Sequence, residues 1–145
     1  MANNADAFIC PSKHVLNSIT ARYSVKNPFV IYNGGAQPIK ESKKFDLDGK
    51  IKFISVGAIY KHKNYETLIK AFDDSILREK AELKIIGDGP LREEYENLIK
   101  NLNLENVIKL LGNISHDFVF EGLDSSDVFV LLSNENFSVA TVEAK

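Results

Sequence analysis

The chain has 145 residues, of which 44% are hydrophobic and 26% charged, a composition typical of a folded domain and not of a disordered chain. Eighteen basic and twenty acidic residues give a formal net charge of −2, and the arginines are not clustered, so the sequence has no electrostatic footprint for nucleic acid. The single cysteine, Cys10, excludes an internal disulfide, and with three scattered histidines a metal site is not expected. No apolar run approaches the roughly 20 residues that span a bilayer, and the first residues lack signal-peptide features, so we expect a cytoplasmic protein.

Short apolar runs alternate with amphipathic stretches along the chain, and each pattern predicts one type of element. The apolar runs predict β-strands at residues 7–10, 29–32, 51–56, 83–86, 107–111 and 128–132. The amphipathic stretches predict one helix that begins after Ser12 and others at residues 65–72, 90–102 and 115–123. Strands alternating with helices favour right-handed βαβ units, so we predict an α/β fold with a doubly wound parallel sheet.

The segment from Asn33 to Gly49 interrupts this alternation. It begins with "NGGAQP", which carries glycine and proline turn signals, and continues with the polar stretch "KESKKFDLDG". We therefore predict a boundary between two units in this segment.

In parallel α/β sheets, ligands bind beyond the carboxyl ends of the strands, where loops lead into helices. The loops after the last four predicted strands contain glycine or small polar residues: "GAIYKHKN", "GDGP", "GNIS" and "SNENFS". In the first of these loops Gly57 allows a turn, and the basic run 61–63 precedes a helix that Asn64 is predicted to cap. Lysines beside the free N–H groups of a helix N-terminus suit a diphosphate, whereas simple solvation of exposed basic residues is the alternative interpretation.

The second loop predicts a tight turn between strand and helix. Gly87, Asp88 and Gly89 form the turn, and Pro90 is expected at the first helical position, where its missing N–H costs nothing. Arg92 stands where a G-x-G-x-x-G dinucleotide fingerprint requires glycine, which argues against NAD binding.

Two glutamates, Glu135 and Glu143, follow the last predicted strand with seven residues between them. If a helix begins near Ser138, Glu135 lies in the preceding loop and Glu143 about one and a half turns inside the helix. Glu135 then suits the reacting sugar of a ligand and Glu143 a vicinal diol such as ribose, while the N–H groups of residues 137–139 suit a phosphate. Coincidence is the alternative explanation of this spacing in a charged chain.

Taken in order, these segments resemble the nucleotide-sugar-binding domain of glycosyltransferase family 4, whose members have the GT-B fold and transfer sugars with retention of anomeric configuration. The resemblance covers nearly the whole chain and rests on five stretches in the family's order: "VIYNGG", "FISVGAIYKHKNYETLIKAF", "KIIGDGPLREEYENL", "IKLLGNIS" and "DVFVLLSNENFSVATVEAK". The last of these stretches carries the family's pair of glutamates as Glu135 and Glu143. The resemblance implies a Rossmann-like half of a GT-B fold.

The resemblance also implies a set of site residues around a nucleoside-diphosphate sugar, with no metal or separate cofactor. Lys63 is expected to contact the diphosphate and Glu135 the transferred sugar, which makes these two the expected catalytic residues. Glu143 is expected to bind the ribose. The other expected contacts, mainly through backbone groups, are Gly57 at the first turn, Asn113 and Ile114 beside the base, and Phe137, Ser138 and Val139 beside the phosphate and sugar.

By the same resemblance, residues 1–36 correspond to the end of an N-terminal acceptor domain with its interdomain link, and residues 37–145 to a donor domain that is incomplete at its C-terminus. Ala58 stands where the family commonly has a phosphate-binding arginine, and Ser138 replaces a usual glycine. We therefore expect a glycosyltransferase fragment with little activity alone, and the alternatives are a non-catalytic nucleotide-binding or interaction module and a degenerate remnant. The acceptor is open, whether a saccharide or a lipid-linked sugar, as are peripheral membrane association of the intact enzyme and a partner chain that supplies the acceptor domain.

Overall fold

The computed structural model describes residues 5–32 and 49–133. In the first range, strand β1, helix α1 and strand β2 follow one another: Phe8–Cys10, Lys13–Thr20 and Pro28–Val30. In the second range the strands β3 to β6 are Ile51–Val56, Ala81–Ile86, Ile108–Gly112 and Val128–Phe129. The helices α2 to α5 of this range are Tyr65–Ala71, Ser75–Lys80, Arg92–Asn101 and His116–Ser125, and a 3-10 turn at Lys61–Lys63 precedes α2.

Both sheets are parallel. Strands β1 and β2 pair with each other, and the other four strands form a sheet in the order β5-β4-β3-β6. Within the larger sheet, β3 comes first in the chain and lies inside the sheet. The next two strands, β4 and β5, extend the sheet on one side of β3, and β6 then pairs with β3 on the other side. This confirms the predicted α/β fold with a doubly wound parallel sheet.

The larger sheet has an apolar cluster on each face, because alternate residues of a strand point to opposite sides. On one face Leu83 and Ile85 of β4 pack with residues of α2 and α4, including Tyr95 and Ile99. The other face carries a smaller cluster around Ile54, which packs with residues of β4 and α5. The apolar stripe of α4 is therefore part of the core that packs against the sheet.

The first helix begins as predicted at Ser12. The Ser12 hydroxyl accepts a hydrogen bond from the backbone N–H of Val15 at 3.1 Å, which satisfies one of the free N–H groups at the helix start. Asn64 also precedes a helix as predicted, but it adopts a left-handed conformation with φ 57° and makes no side-chain bond to the helix backbone. Its side chain accepts a hydrogen bond from the Thr67 hydroxyl at 2.7 Å instead.

Two features of the larger sheet unit differ from the sequence predictions. Helix α3 was not predicted, because its sequence is largely polar and only Leu77 among its residues packs against the core. The Asp74 side chain caps the start of this helix by accepting a hydrogen bond from the Ile76 N–H at 2.9 Å. The prediction that Pro90 opens α4 is wrong. The turn continues past Pro90, with the Arg92 N–H donating to the Gly89 carbonyl at 3.1 Å, and the helix begins at Arg92.

Candidate functional site

The order of the larger sheet reverses between β3 and β6. Strands β4 and β5 extend the sheet on one side of β3, and β6 pairs with β3 on the other side. In doubly wound sheets this reversal opens a crevice outside the carboxyl ends of the two adjacent strands, and ligands bind there. The loop after β3, which contains Gly57 and Lys63, lies at this carboxyl end.

The end of β3 brings Gly57 and Lys63 together. A Cβ built on Gly57 would lie 3.4 Å from Lys63 Nζ and 3.2 Å from the Tyr65 hydroxyl oxygen. The buried Tyr65 donates its hydroxyl hydrogen to the Gly57 carbonyl at 3.1 Å. The lysine side chain therefore returns from the 3-10 turn to the end of the strand, and a phenol anchored in the core fixes the backbone beside it.

The turn after β4 packs directly against the loop after β3. The Ile59 N–H donates to the Asp88 carbonyl at 2.9 Å. A Cβ on Gly87 would lie only 2.1 Å from the Gly57 carbonyl oxygen, and one on Gly89 only 2.4 Å from the Ile59 carbonyl oxygen. These distances are shorter than any real carbon contact, so the glycines of "GDGP" are required for the close approach of two backbone segments.

The end of β5 continues the same row of backbone contacts. The Gly87 N–H donates to the Gly112 carbonyl at 2.9 Å, and Gly112 has a φ of +73°, a conformation that glycine adopts without strain. Asn113 follows with an exposed side chain, and Ile114 packs its side chain against the smaller apolar cluster. The structure thus joins the ends of β3, β4 and β5 through Gly57, Gly87 and Gly112.

Residues 37–145 match the family model of glycosyl transferases group 1. The chain belongs to this family.

Known members of the family with similar sequences include two bacterial enzymes. The chain is 37% identical over 112 residues to the N-acetylgalactosamine-N,N'-diacetylbacillosaminyl-diphospho-undecaprenol 4-alpha-N-acetylgalactosaminyltransferase of Campylobacter jejuni, a match that covers 74% of this chain and 30% of that enzyme. It is 33% identical over 145 residues to the N-acetyl-alpha-D-glucosaminyl L-malate synthase of Bacillus anthracis, covering 99% of this chain and 36% of that enzyme. The chain therefore spans about a third of the length of these curated relatives.

Solved structures of glycosyltransferases share the fold of the chain. The pneumococcal O-GlcNAc transferase GtfA, crystallised with UDP and GlcNAc, superposes with a TM-score of 0.78 at 22% identity, covering 99% of this chain and 29% of GtfA. Sucrose-phosphate synthase from Thermosynechococcus elongatus superposes with a TM-score of 0.80 at 22% identity, covering 99% of this chain and 39% of that enzyme. At this level of identity the similarity shows the common fold.

Within this glycosyltransferase fold, the structure places four of the expected site residues on two loops. Gly57 and Lys63 lie together at the end of β3, and Asn113 with Ile114 lie after β5, joined to them through the turn after β4. The remaining expected site residues lie outside the described residues: Glu135, Phe137, Ser138, Val139 and Glu143.

Two residues that contact these strand ends were not singled out for such contacts from the sequence. Tyr65 has the helical spacing of a core residue relative to Leu68 and Ile69, and nothing in that spacing indicates that its hydroxyl bonds the Gly57 carbonyl. Arg92 was noted only as a non-glycine residue, yet its guanidinium lies beside Gly112.

In the part of the chain that the structure describes, displaced pKa values are indicated for Tyr95 of α4 and Glu66 of α2. Burial raises the pKa of the Tyr95 hydroxyl, and the nearby carboxylates of Glu94 and Glu66 raise it further. The hydrogen bond and the positive charge of Lys70 lower the pKa of Glu66. Within residues 5–32 and 49–133, the chain has no group of three or more metal-ligating side chains, and none of its helices is long and apolar enough to cross a membrane.

Proposed function

We propose that this chain forms the donor-binding part of a glycosyltransferase that moves a sugar from a nucleoside-diphosphate sugar to an acceptor with retention of anomeric configuration. The observation that carries the proposal is the position of the Lys63 ammonium beside Gly57, at the end of β3 and next to the reversal of strand order. This is the place where a doubly wound sheet binds its ligand, and a lysine there is suited to a diphosphate.

The proposed role of Lys63 follows from the charge that develops during transfer. When the bond between the sugar and the diphosphate breaks, the electron pair stays with the departing diphosphate, whose negative charge grows. A cation that is already fixed beside that oxygen stabilises the transition state without reorganisation. The hydrogen bond from Tyr65 to the Gly57 carbonyl holds the backbone against which the Lys63 side chain lies, and this supports such a fixed position.

The rest of the proposed site follows the family resemblance. Glu135 is assigned to the transferred sugar and Glu143 to the ribose, with the amides of residues 137–139 beside the phosphate and sugar. Asn113 and Ile114 are assigned to the edge of the nucleobase. UDP is the first nucleotide to test, since solved structures of similar fold were determined with UDP.

The acceptor remains unassigned, and we propose that its binding surface belongs to a further domain or partner chain and that the reaction takes place in the cytoplasm. A second candidate function is nucleotide binding without transfer. Ala58 favours it, because this exposed alanine stands where the family commonly has a phosphate-binding arginine. Release of UDP from UDP-sugars by the chain would argue against this second candidate.

The proposal is tested by calorimetric titration of the chain with UDP, GDP and ADP. A hydrogen bond between a charged group and phosphate contributes about 1.5–3 kcal/mol, so Lys63→Ala is expected to weaken binding of the preferred nucleotide about 10- to 150-fold. Lys61→Ala is the matched control, since it removes the same charge from the same turn, at a side chain that is exposed. Equal effects of the two substitutions would mean that the loop acts only through its overall charge and would contradict the assignment of Lys63.

A further inference from the structure

Arg92, the first residue of α4, reaches across to the end of β5. Its Nη2 donates a hydrogen bond to the Leu110 carbonyl at 3.3 Å. A Cβ built on Gly112 would lie 2.7 Å from Arg92 Nη1, so the guanidinium occupies the space that a side chain at position 112 would need. The arginine thus lies against the last residues of β5, immediately before Asn113 and Ile114.

Two carboxylates hold the guanidinium in this position. Arg92 Nε donates to Glu96 Oε1 at 2.7 Å, and Arg92 Nη1 lies 3.6 Å from Asp88 Oδ2. Asp88 is itself fixed, because its Oδ1 accepts a hydrogen bond from the Gly89 N–H at 2.7 Å. The planar fork of arginine makes these contacts in three directions at once, and lysine has no equivalent geometry.

We propose that Arg92 is a positioning residue that fixes the Asn113–Ile114 loop and thereby controls the part of the nucleotide affinity that depends on the base. The inference rests on the proposed function, which assigns this loop to the edge of the nucleobase. Gly112 has positive φ and no side chain, and its carbonyl is held by the Gly87 N–H, so the arginine adds a second contact, in the space beside the Gly112 Cα, just before this loop. The Lys63 end of the site is fixed through Tyr65 instead, so loss of Arg92 leaves the phosphate contact in place.

Arg78 offers a matched control for a purely structural arginine. It forms an ion pair with Asp73 and donates to the Leu102 carbonyl at 2.6 Å, so it also joins a carboxylate to a backbone carbonyl. Arg78 belongs to α3, which leads into the first residue of β4, and Leu102 lies between α4 and the start of β5, so these contacts lie at the amino ends of the strands, whereas Gly112 lies at a carboxyl end. Removing Arg78 removes the same kinds of interaction far from the strand-end loops.

The experiment measures the dissociation constants of the preferred nucleoside diphosphate and of pyrophosphate, together with the melting temperature, for the whole chain and its variants. Arg92→Ala is expected to weaken nucleotide binding about tenfold and pyrophosphate binding less than about twofold, because a released loop reduces affinity only for the group it contacts. Arg92→Lys is expected to restore less than half of the loss. Arg78→Ala is expected to lower the melting temperature and leave both dissociation constants unchanged.

The outcomes separate the inference from the function on which it rests. If the wild-type chain binds a nucleoside diphosphate and Arg92→Ala leaves that affinity intact, or weakens pyrophosphate to the same degree, the inference is wrong and the proposed function stands. If the wild-type chain binds none of UDP, GDP and ADP, the proposed function fails and the inference fails with it. Full recovery by Arg92→Lys would show that charge alone suffices and would contradict a role for the fork.

Discussion

The substitution Gly87→Ala tests whether the close backbone contacts among Gly57, Gly87 and Gly112 at the strand ends are required for folding. Gly87 has a φ of +137°, and a Cβ at this position would lie 2.1 Å from the Gly57 carbonyl oxygen and 2.8 Å from its carbon. Both obstructing atoms belong to the backbone, so no side chain can rotate away. The turn after β4 would have to separate from the loop after β3, which carries the contact between Gly57 and Lys63.

The expected cost has two parts. A non-glycine residue in a sparsely populated region of positive φ costs about 1–3 kcal/mol, and forcing extra atoms into a well-packed site costs about another 1–3 kcal/mol. We therefore expect Gly87→Ala to lower the free energy of unfolding by about 2–6 kcal/mol, a large part of the roughly 5–15 kcal/mol that stabilises a typical domain. The loss of nucleotide affinity should follow, because the Gly57 carbonyl is displaced.

Urea unfolding followed by circular dichroism measures this cost, with two further glycine variants as a graded series. Gly89→Ala places a Cβ 2.4 Å from the Ile59 carbonyl oxygen without a positive φ. Gly49→Ala meets no heavy atom of the described residues within 4 Å. The expected loss of stability therefore decreases in the order Gly87, Gly89, Gly49. A Gly87→Ala variant within about 1 kcal/mol of the Gly49→Ala variant would refute the reasoning, because the cost of positive φ alone is of that size.

Two further predictions concern the core. Ser55 is fully buried in β3, and its hydroxyl has no hydrogen-bond partner among the described residues. Ser55→Ala should therefore raise the free energy of unfolding by about 1 kcal/mol in urea titrations, and a loss of stability would contradict this. The pKa of the Tyr95 hydroxyl is raised in the folded chain, so as the pH rises the hydroxyl ionises first in the unfolded chain. The stability that the protonated hydroxyl contributes below about pH 10 is therefore lost as the pH rises above that value. Tyr95→Phe should therefore show a shallower fall in melting temperature between about pH 9 and 11, and an unchanged slope would contradict this assignment.

The strands were predictable because parallel strands have near-continuous apolar runs, which mark their position whatever the order of the sheet. Helix α3 was missed for the corresponding reason: a short helix that buries little more than Leu77 has no apolar period to detect. The error at Pro90 arose because proline is as compatible with the turn as with the first helical position. An element is therefore predictable where its sequence has an apolar pattern, as in α1 with its apolar face, and is missed where that pattern is absent, as in α3.

Less of the candidate site than of the fold could be predicted from the sequence. Lys63 was assigned through resemblance, and its return to Gly57 depends on a turn whose geometry its local sequence does not specify. The approach of Gly87 to Gly57 joins residues that are thirty positions apart in the chain, and it exists only because β3 and β4 are neighbours in parallel register. The contact between Gly87 and Gly57 forms only when the sheet assembles, so no local sequence pattern predicts it.

The row of glycines at the strand ends also bears on which cation serves the phosphate. Gly57, Gly87 and Gly112 bring three backbone segments side by side, and one basic side chain returns to each end of the row, Lys63 at Gly57 and Arg92 at Gly112. Arg92 directs its guanidinium to two carboxylates and a carbonyl of the chain itself, so a phosphate there would meet negative charge already in place. Lys63 instead lies beside the reversal of strand order, where the sheet geometry opens a crevice. These contacts support the proposed assignment of the diphosphate to the loop after β3 and of the base to the loop after β5.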